Sequence, residues 1–202
     1  KELITINIHD FRDFTTNKHK KVDDTIYGGG AGMLIQCQPV IDTLKSIKNY
    51  QEAYKIITSA QGTTFNQKKA QELSKLEHLI IICGHYEGFD DRIRTICDME
   101  ISIGDYVLTG GEIPCMVLVD SITRLLDGVI QEESHLNESF HNNLLDYPVY
   151  TKPRVYRGME VPEVLLSGDH KKINEYRLNE QIRKTKEIRP DLLGENYDSS
   201  KE

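Results

Sequence analysis

The residues with chemical promise lie in glycine-bearing stretches rather than in one obvious catalytic cluster. Ser102-Ile103-Gly104-Asp105-Tyr106-Val107-Leu108-Thr109-Gly110-Gly111-Glu112-Ile113-Pro114 is the richest of them. It reads as the end of a strand, a turn at Gly104-Asp105, and a Gly-Gly pair that hands over to a helix. Glycines at such a junction let backbone N–H and C=O groups approach a ligand, because no Cβ stands in the way. Asp105 and Tyr106 place a carboxylate and an aromatic face beside that backbone. Glu112 and Pro114 suit the first turn of the following helix. Taken alone, the pattern also fits an ordinary strand–loop–helix connection.

Two other loops change that balance. Ser59-Ala60-Gln61-Gly62 reads as a turn after the strand Tyr54–Thr58. Gly84-His85-Tyr86-Glu87-Gly88 follows the apolar run 77–83, a strand covered on both faces. A third strand, Met99–Ile103, leads into the stretch above. In a parallel α/β sheet, loops at the carboxyl ends of the strands gather into the ligand site. These loops are rich in Gly and poor in Lys and Arg, so they favour an uncharged or cationic adenosine-type ligand over a phosphate-rich nucleotide. Tyr27-Gly28-Gly29-Gly30-Ala31-Gly32-Met33 lacks the lysine of a phosphate-binding loop and marks only a close backbone approach.

The elements that must position these loops follow from periodicity. Residues 1–10 alternate apolar and polar, the period of a half-buried strand. Helices are predicted over 39–49, over 66–75 with Asn66 as N-cap, over 90–97 and over 112–126. The loop 11–24 interleaves Phe11 and Phe14 with Arg12, Lys18, His19, Lys20 and Lys21, a composition shared by solvated loops and RNA-contacting ones. Beyond Asp127 the chain turns polar, is extended by prolines around 147–153, and becomes helical after Glu160, with Asp169 as a cap. Basic residues crowd this tail, which suits either a solvated helix face or an anionic partner.

Composition sets the class. The chain has 202 residues, 38% hydrophobic and 28% charged, with a net charge of −7; this is a soluble globular protein without an all-over basic surface. No apolar run suits a membrane span, and there is no signal-peptide pattern. The four cysteines, Cys37, Cys83, Cys97 and Cys115, form no CxxC pair. They read as reduced thiols in a cytoplasmic protein rather than as zinc ligands.

Five motifs occur in a telling order: VDDTIYGGGAGM, CGHYEGFDDR, SIGDYVLTGGEIP, DSITR and LLDYPVYTKP. As a set they closely resemble the bacterial tRNA (guanine-N1)-methyltransferases that modify guanine 37, a family of the SPOUT class of S-adenosylmethionine-dependent methyltransferases. The resemblance runs from about Asp10 to about Leu193. It implies an α/β fold: a parallel-sheet SPOUT domain over residues 1–130 with a deep trefoil knot between Ser59 and Pro114. A linker and active-site loop over 131–158 and a small C-terminal helical tRNA-binding domain over 159–202 would follow. It further implies that the family's first strand and helix precede Lys1, that the protein is a homodimer, and that magnesium assists activity, although no dedicated carboxylate cage is visible.

By the same resemblance, Ser59, Gln61, Gly84, Tyr86, Glu87 and Gly88 line the methyl-donor pocket. Ile103, Gly104, Asp105, Tyr106, Val107, Leu108, Gly110, Gly111 and Pro114 complete it. The family uses an arginine in DSxxR and an aspartate before LLDYP; here these positions are Arg124 and Glu138. Glu138 keeps the carboxylate but adds a methylene, and its loop is expected to order when RNA binds. A related SPOUT enzyme acting on another RNA, or an inactive RNA- or metabolite-binding relative, are the competing readings.

Overall fold

The computed structural model describes residues 3–129, 138–140 and 142–194. Two compact units divide the chain, Lys1–Ile130 and Gln131–Glu202.

The first unit is built on a three-stranded parallel sheet in the order β4-β3-β5, formed by β3 (Tyr54–Thr64), β4 (Leu79–Ile82) and β5 (Met99–Ser102). Alternation along β3 sends Ile56 and Ile57 to opposite faces, and each face has its own core. Ile57 packs with Ile80, Ile82, Val40, Leu44 and Ile93 under α1 (Cys37–Ser46). Ile56 packs with Ile101, Leu73, Leu118 and Ile122 under α2 (Gln67–Leu73) and α3 (Glu112–Thr123). The expected α/β class, with a parallel sheet covered on both faces, is therefore present.

Local signals explain the element ends. Asn66 caps α2, its side chain accepting from the Lys69 N–H at 3.0 Å. Asp90 caps the 3₁₀ helix Asp91–Ile96. Helix α1 begins two residues before Pro39, a position in the first turn where a missing N–H costs nothing.

Two expectations are corrected. Residues 3–8 pair with no strand among the described residues and are exposed, Ile8 at 93%; alternation supplies one apolar face, but a strand also needs a neighbour to bond to. Residues 59–62 are not a turn beyond the end of β3. They bulge out of a longer strand, so that Thr58 and Thr63 both pair with Ile101 of β5. Gly62 makes the bulge possible: a Cβ there would lie 2.6 Å from the Ile101 backbone N.

The glycine-rich stretch also takes a form that the sequence did not announce. It is the tip of an antiparallel hairpin, β1 (Asp23–Thr25) and β2 (Met33–Ile35). The free edge of β2 bonds to the GHYEG loop through Glu87 N–H to Met33 O at 3.1 Å and Ile35 N–H to Gly88 O at 2.9 Å.

In the second unit, Asp169 caps α4 (His170–Ile188) by accepting from the N–H groups of Lys171 and Lys172. A short hairpin, β6 (Val155–Tyr156) and β7 (Met159–Glu160), precedes it. Thr185 is fully buried on α4, donating to Gln181 O and accepting from Leu145 N–H at 2.8 Å. This bond and the Arg177 guanidinium stacked 4.8 Å over the Tyr147 ring hold the segment 144–147 along the helix. Residues 131–137, the start of the expected linker, lie outside the described residues. No described helix is long and apolar enough to cross a membrane.

Two substitutions test these cores. Leu118→Ala, at a fully buried site, should lower the unfolding free energy by about 2–5 kcal/mol in urea titration. Thr185→Val leaves the Leu145 N–H without its acceptor, and about 1–3 kcal/mol should be lost.

Candidate active site

The polar loops meet at the carboxyl end of the sheet through backbone contacts. The Gly111 N–H donates to Gly84 O at 2.8 Å, and His85 pairs with Gly110 in an isolated antiparallel bridge. Gly111 is buried where a side chain has no room: a Cβ would meet the Cys83 Cα and the Gly84 N, each at 2.8 Å, with the Thr58 hydroxyl on the same side. Thr58, itself buried, bonds to Ile82 O at 3.3 Å. Three chain segments thus close on one point, immediately below the loops 59–62, 84–88 and 104–110.

Each loop has its own internal support. Gln61 N–H donates to Ser59 Oγ at 3.1 Å. Tyr86 sits in the left-handed region at φ 62°, with an exposed ring, a conformation that a bulky residue adopts only where its neighbours enforce it. Here the enforcing bonds are Glu87 N–H to Met33 O and Gly88 N–H to His85 O. Ser102 Oγ bonds to both N and O of Gly104, and the Tyr106 hydroxyl folds back to Ile103 O at 3.3 Å. Asp105, Tyr106, Val107 and Leu108 stand exposed on the rim, and Pro114 sits half-buried in the first turn of α3. The loops carry no Lys or Arg, whereas Glu87 and Asp105 are acidic.

One functional-looking pair escapes a sequence reading. His85 Nε2 and Glu112 Oε1 lie 2.6 Å apart across the junction. Burial pushes the Glu112 carboxyl up, but its own backbone N–H and the His85 bond outweigh that, so it titrates below its ordinary value. The two residues are 27 positions apart, and only the folded loops disclose the pair.

Of the two other sequence candidates, one stands at the far end of α3 and the other belongs to the second unit. Arg124 caps the carboxyl end of α3, its N–H bonded to Asp120 O at 3.1 Å. From Glu112 to Arg124 the helix rises about 18 Å, so Arg124 and Gly111 mark opposite ends of it. Glu138 belongs to the second unit and is half-buried. Its neighbours are fixed there: Phe140 N–H bonds to Leu144 O at 2.8 Å, and Ser139 Oγ accepts from Asp146 N–H at 2.9 Å.

The exit of the GHYEG loop is pinned by charge. The Asp90 carboxylate accepts from Arg92 Nε at 2.9 Å and Nη2 at 2.7 Å, and the Asp90 N–H donates to Ile35 O. The guanidinium holds the Asp90 carboxyl well below its usual 3.8. A depressed folded-state value stabilises the fold above 3.8 and ceases to do so as pH falls through that folded value. Asp90→Asn should therefore lower stability at pH 7 and flatten the acid limb of a stability–pH curve measured by urea unfolding. Gly111→Ala should disrupt the junction itself, lowering the melting temperature and abolishing whatever ligand binding the loops support.

Comparison with known proteins bears on what these loops hold. A sequence model described as tRNA (Guanine-1)-methyltransferase TrmD matches residues 1–195. A protein of Mycoplasmopsis pulmonis named tRNA (guanine-N(1)-)-methyltransferase is 56% identical over 193 residues, covering 95% of this chain and 84% of its own length. Proteins of the same name from Endomicrobium trichonymphae and Clostridium botulinum strain 657 are each 53% identical. They align over 204 and 194 residues, 96% of this chain in both cases, and 88% and 81% of their own lengths. With a family match over nearly all its length and relatives above half identity, the chain belongs to the tRNA (guanine-1)-methyltransferase family.

Proposed function

We propose that this protein transfers the methyl group of S-adenosylmethionine to N1 of guanine 37, beside the anticodon of tRNA. The observation that carries the reading is the backbone junction of three loops without Lys or Arg at one end of a parallel sheet, in a member of this family. Such loops offer N–H and C=O groups to an adenosine and acidic side chains to a sulfonium, with no Lys or Arg to neutralise a polyphosphate. Ser59, Gln61, the residues 84–88 named above and those between Ile103 and Pro114 are the proposed contacts. The donor brings a methyl group already activated by its positive sulfur.

The acceptor is harder, because guanine N1 carries a proton at neutral pH. Glu138 is the proposed general base that removes it, and Arg124 the proposed cation that stabilises charge on O6. The N1 lone pair then forms the new C–N bond as the S–CH₃ bond breaks, leaving a neutral thioether. The guanine must leave its stack to reach this pocket.

Arg124 and the loops lie at opposite ends of α3, and this favours a homodimer. Helix α3 is apolar nearly all round, yet Ile113, Met116 and Val117 face outward, Met116 at 66% exposure. Two copies paired across that face would cover it and carry Arg124 of each towards the loops of the other. The knot across 59–114, the linker 131–158 and a tRNA-gripping role for the basic helical residues 159–202 complete the proposal, in a cytoplasmic enzyme. Among the described residues no three His, Cys, Asp or Glu converge to hold a metal ion; magnesium, which keeps most of its ligands as water, would assist activity without a protein cage.

Labelled S-adenosylmethionine should methylate an unmodified tRNA with guanine at 37, and not its adenine-37 counterpart, with the label on N1 in nucleoside analysis. Label at another atom or another guanine would instead favour a related RNA methyltransferase. Arg124→Ala and Glu138→Gln should each lower kcat by roughly 10²–10⁴-fold with donor affinity nearly unchanged, whereas Glu138→Asp should keep most of the rate. Equal loss of donor binding and turnover would remove the assigned roles.

A further inference from the structure

Beneath the same junction lie two cysteines for which the methyl-transfer chemistry has no use. Cys83 follows the last residue of β4 and precedes Gly84; Cys115 lies in the first turns of α3, its N–H bonded to Gly111 O at 2.9 Å. Gly111 ties the two segments together, donating to Gly84 O and leaving no room for a Cβ against the Cys83 Cα. Helical spacing sets the Cys115 side chain over Gly111, on the face that the Cys83 backbone packs against, so the two thiols are neighbours and interact. Both are half-buried and unbridged. Cys37 and Cys97 stand apart: Cys97 Sγ bonds to Ile93 O at 3.3 Å, and Cys37 neighbours Asp90 and Arg92.

We propose that Cys83 and Cys115 form a hydroperoxide-reactive dithiol, which closes to a reversible disulfide tying the GHYEG loop to the start of α3. Cys115 is the attacking sulfur. Its thiol is shifted towards ionisation by the hydrogen bond from Cys83, against the opposing effects of burial and Glu112. The amino end of α3 further favours an anion there. Cys83 is shifted the other way, so it keeps its proton. The Cys115 thiolate attacks a peroxide oxygen, the O–O bond breaks, and a sulfenic acid forms with release of hydroxide or alkoxide. Cys83 sulfur then attacks that sulfenic sulfur; the S–O bond breaks, and the Cys83 proton leaves with the hydroxyl as water. Two electrons pass from the sulfurs to the peroxide, and a dithiol reductant restores the pair.

The full chain, treated with stoichiometric hydrogen peroxide at neutral pH, quenched with iodoacetamide and digested, tests this by peptide mass spectrometry. Expected is a Cys83–Cys115 linked peptide lighter by two hydrogens and lost on reduction, with Cys37 and Cys97 still alkylated. Cys115 should also alkylate at least tenfold faster than Cys97, whose thiol burial pushes up to about 11. Cys83→Ser should leave a sulfenic acid on Cys115 that dimedone traps. Where that variant does not fold, the linked peptide from the unaltered chain decides. Alkylation of Cys115 no faster than that of Cys97, or sulfinic acid at Cys115 with Cys83 still a free thiol, would overturn the proposal. The readout is thiol chemistry, so such a failure would leave the methyl-transfer reading standing.

Discussion

The architecture depends on one close approach, that of Gly111 to the end of β4. Its N–H meets Gly84 O at 2.8 Å, and the space where a Cβ would lie is already taken by Cys83, Gly84 and Thr58. Because that contact joins the start of α3 to the end of β4 and to β3 at Thr58, it sets where the GHYEG and GDYVLTGG loops stand relative to each other. The bulge at 59–62 brings in the third loop by a similar device, with Gly62 against the backbone of Ile101. Backbone-to-backbone contacts of this sort are rigid and leave outward-facing N–H and C=O groups in fixed positions. That is the property a site needs when it holds its ligand without cationic side chains.

The cores hold this junction from below. Ile56 and Ile57 anchor β3 to opposite layers, so a shift of the sheet by one residue would exchange the two cores. Helix α3 serves both the inside and the outside of the first unit. Leu118 and Ile122 turn inward with Gly111 and Cys115 on the same side, while Ile113, Met116 and Val117 remain in contact with solvent. An apolar outer face on a helix that also begins the candidate site is the main physical reason to expect a second copy of the chain there. The second unit is organised differently. Its long helix carries few apolar residues and is held to the chain before it by Thr185, Lys184 and the Arg177–Tyr147 stack.

Much of the fold was legible in the sequence because its signals are local. Asn66 and Asp169 cap the helices they announce, and the apolar runs at 54–58, 79–82 and 99–102 are strands. What was not legible depends on partners distant in the chain. Alternation in residues 3–8 could not reveal that no described strand runs beside them. SAQG looks like a turn because its residues favour turns, yet the ladder with Ile101 resumes at Thr63. The glycine-rich stretch becomes a hairpin only because the GHYEG loop offers β2 an edge. The His85–Glu112 and Cys83–Cys115 pairs are likewise products of the Gly111 junction, invisible until its two segments are brought together. Which loops to consider could be read from glycine content and strand order; how they interlock could not.

On the proposed reading, the loops gathered at Gly111 hold the methyl donor. Hydrogen–deuterium exchange of the full chain with and without saturating S-adenosylmethionine tests it most directly. Exchange should slow at 59–62, 84–88 and 103–111, with α4 unchanged. Donor binding established by calorimetry but accompanied by protection only elsewhere, for example along α1, would contradict it.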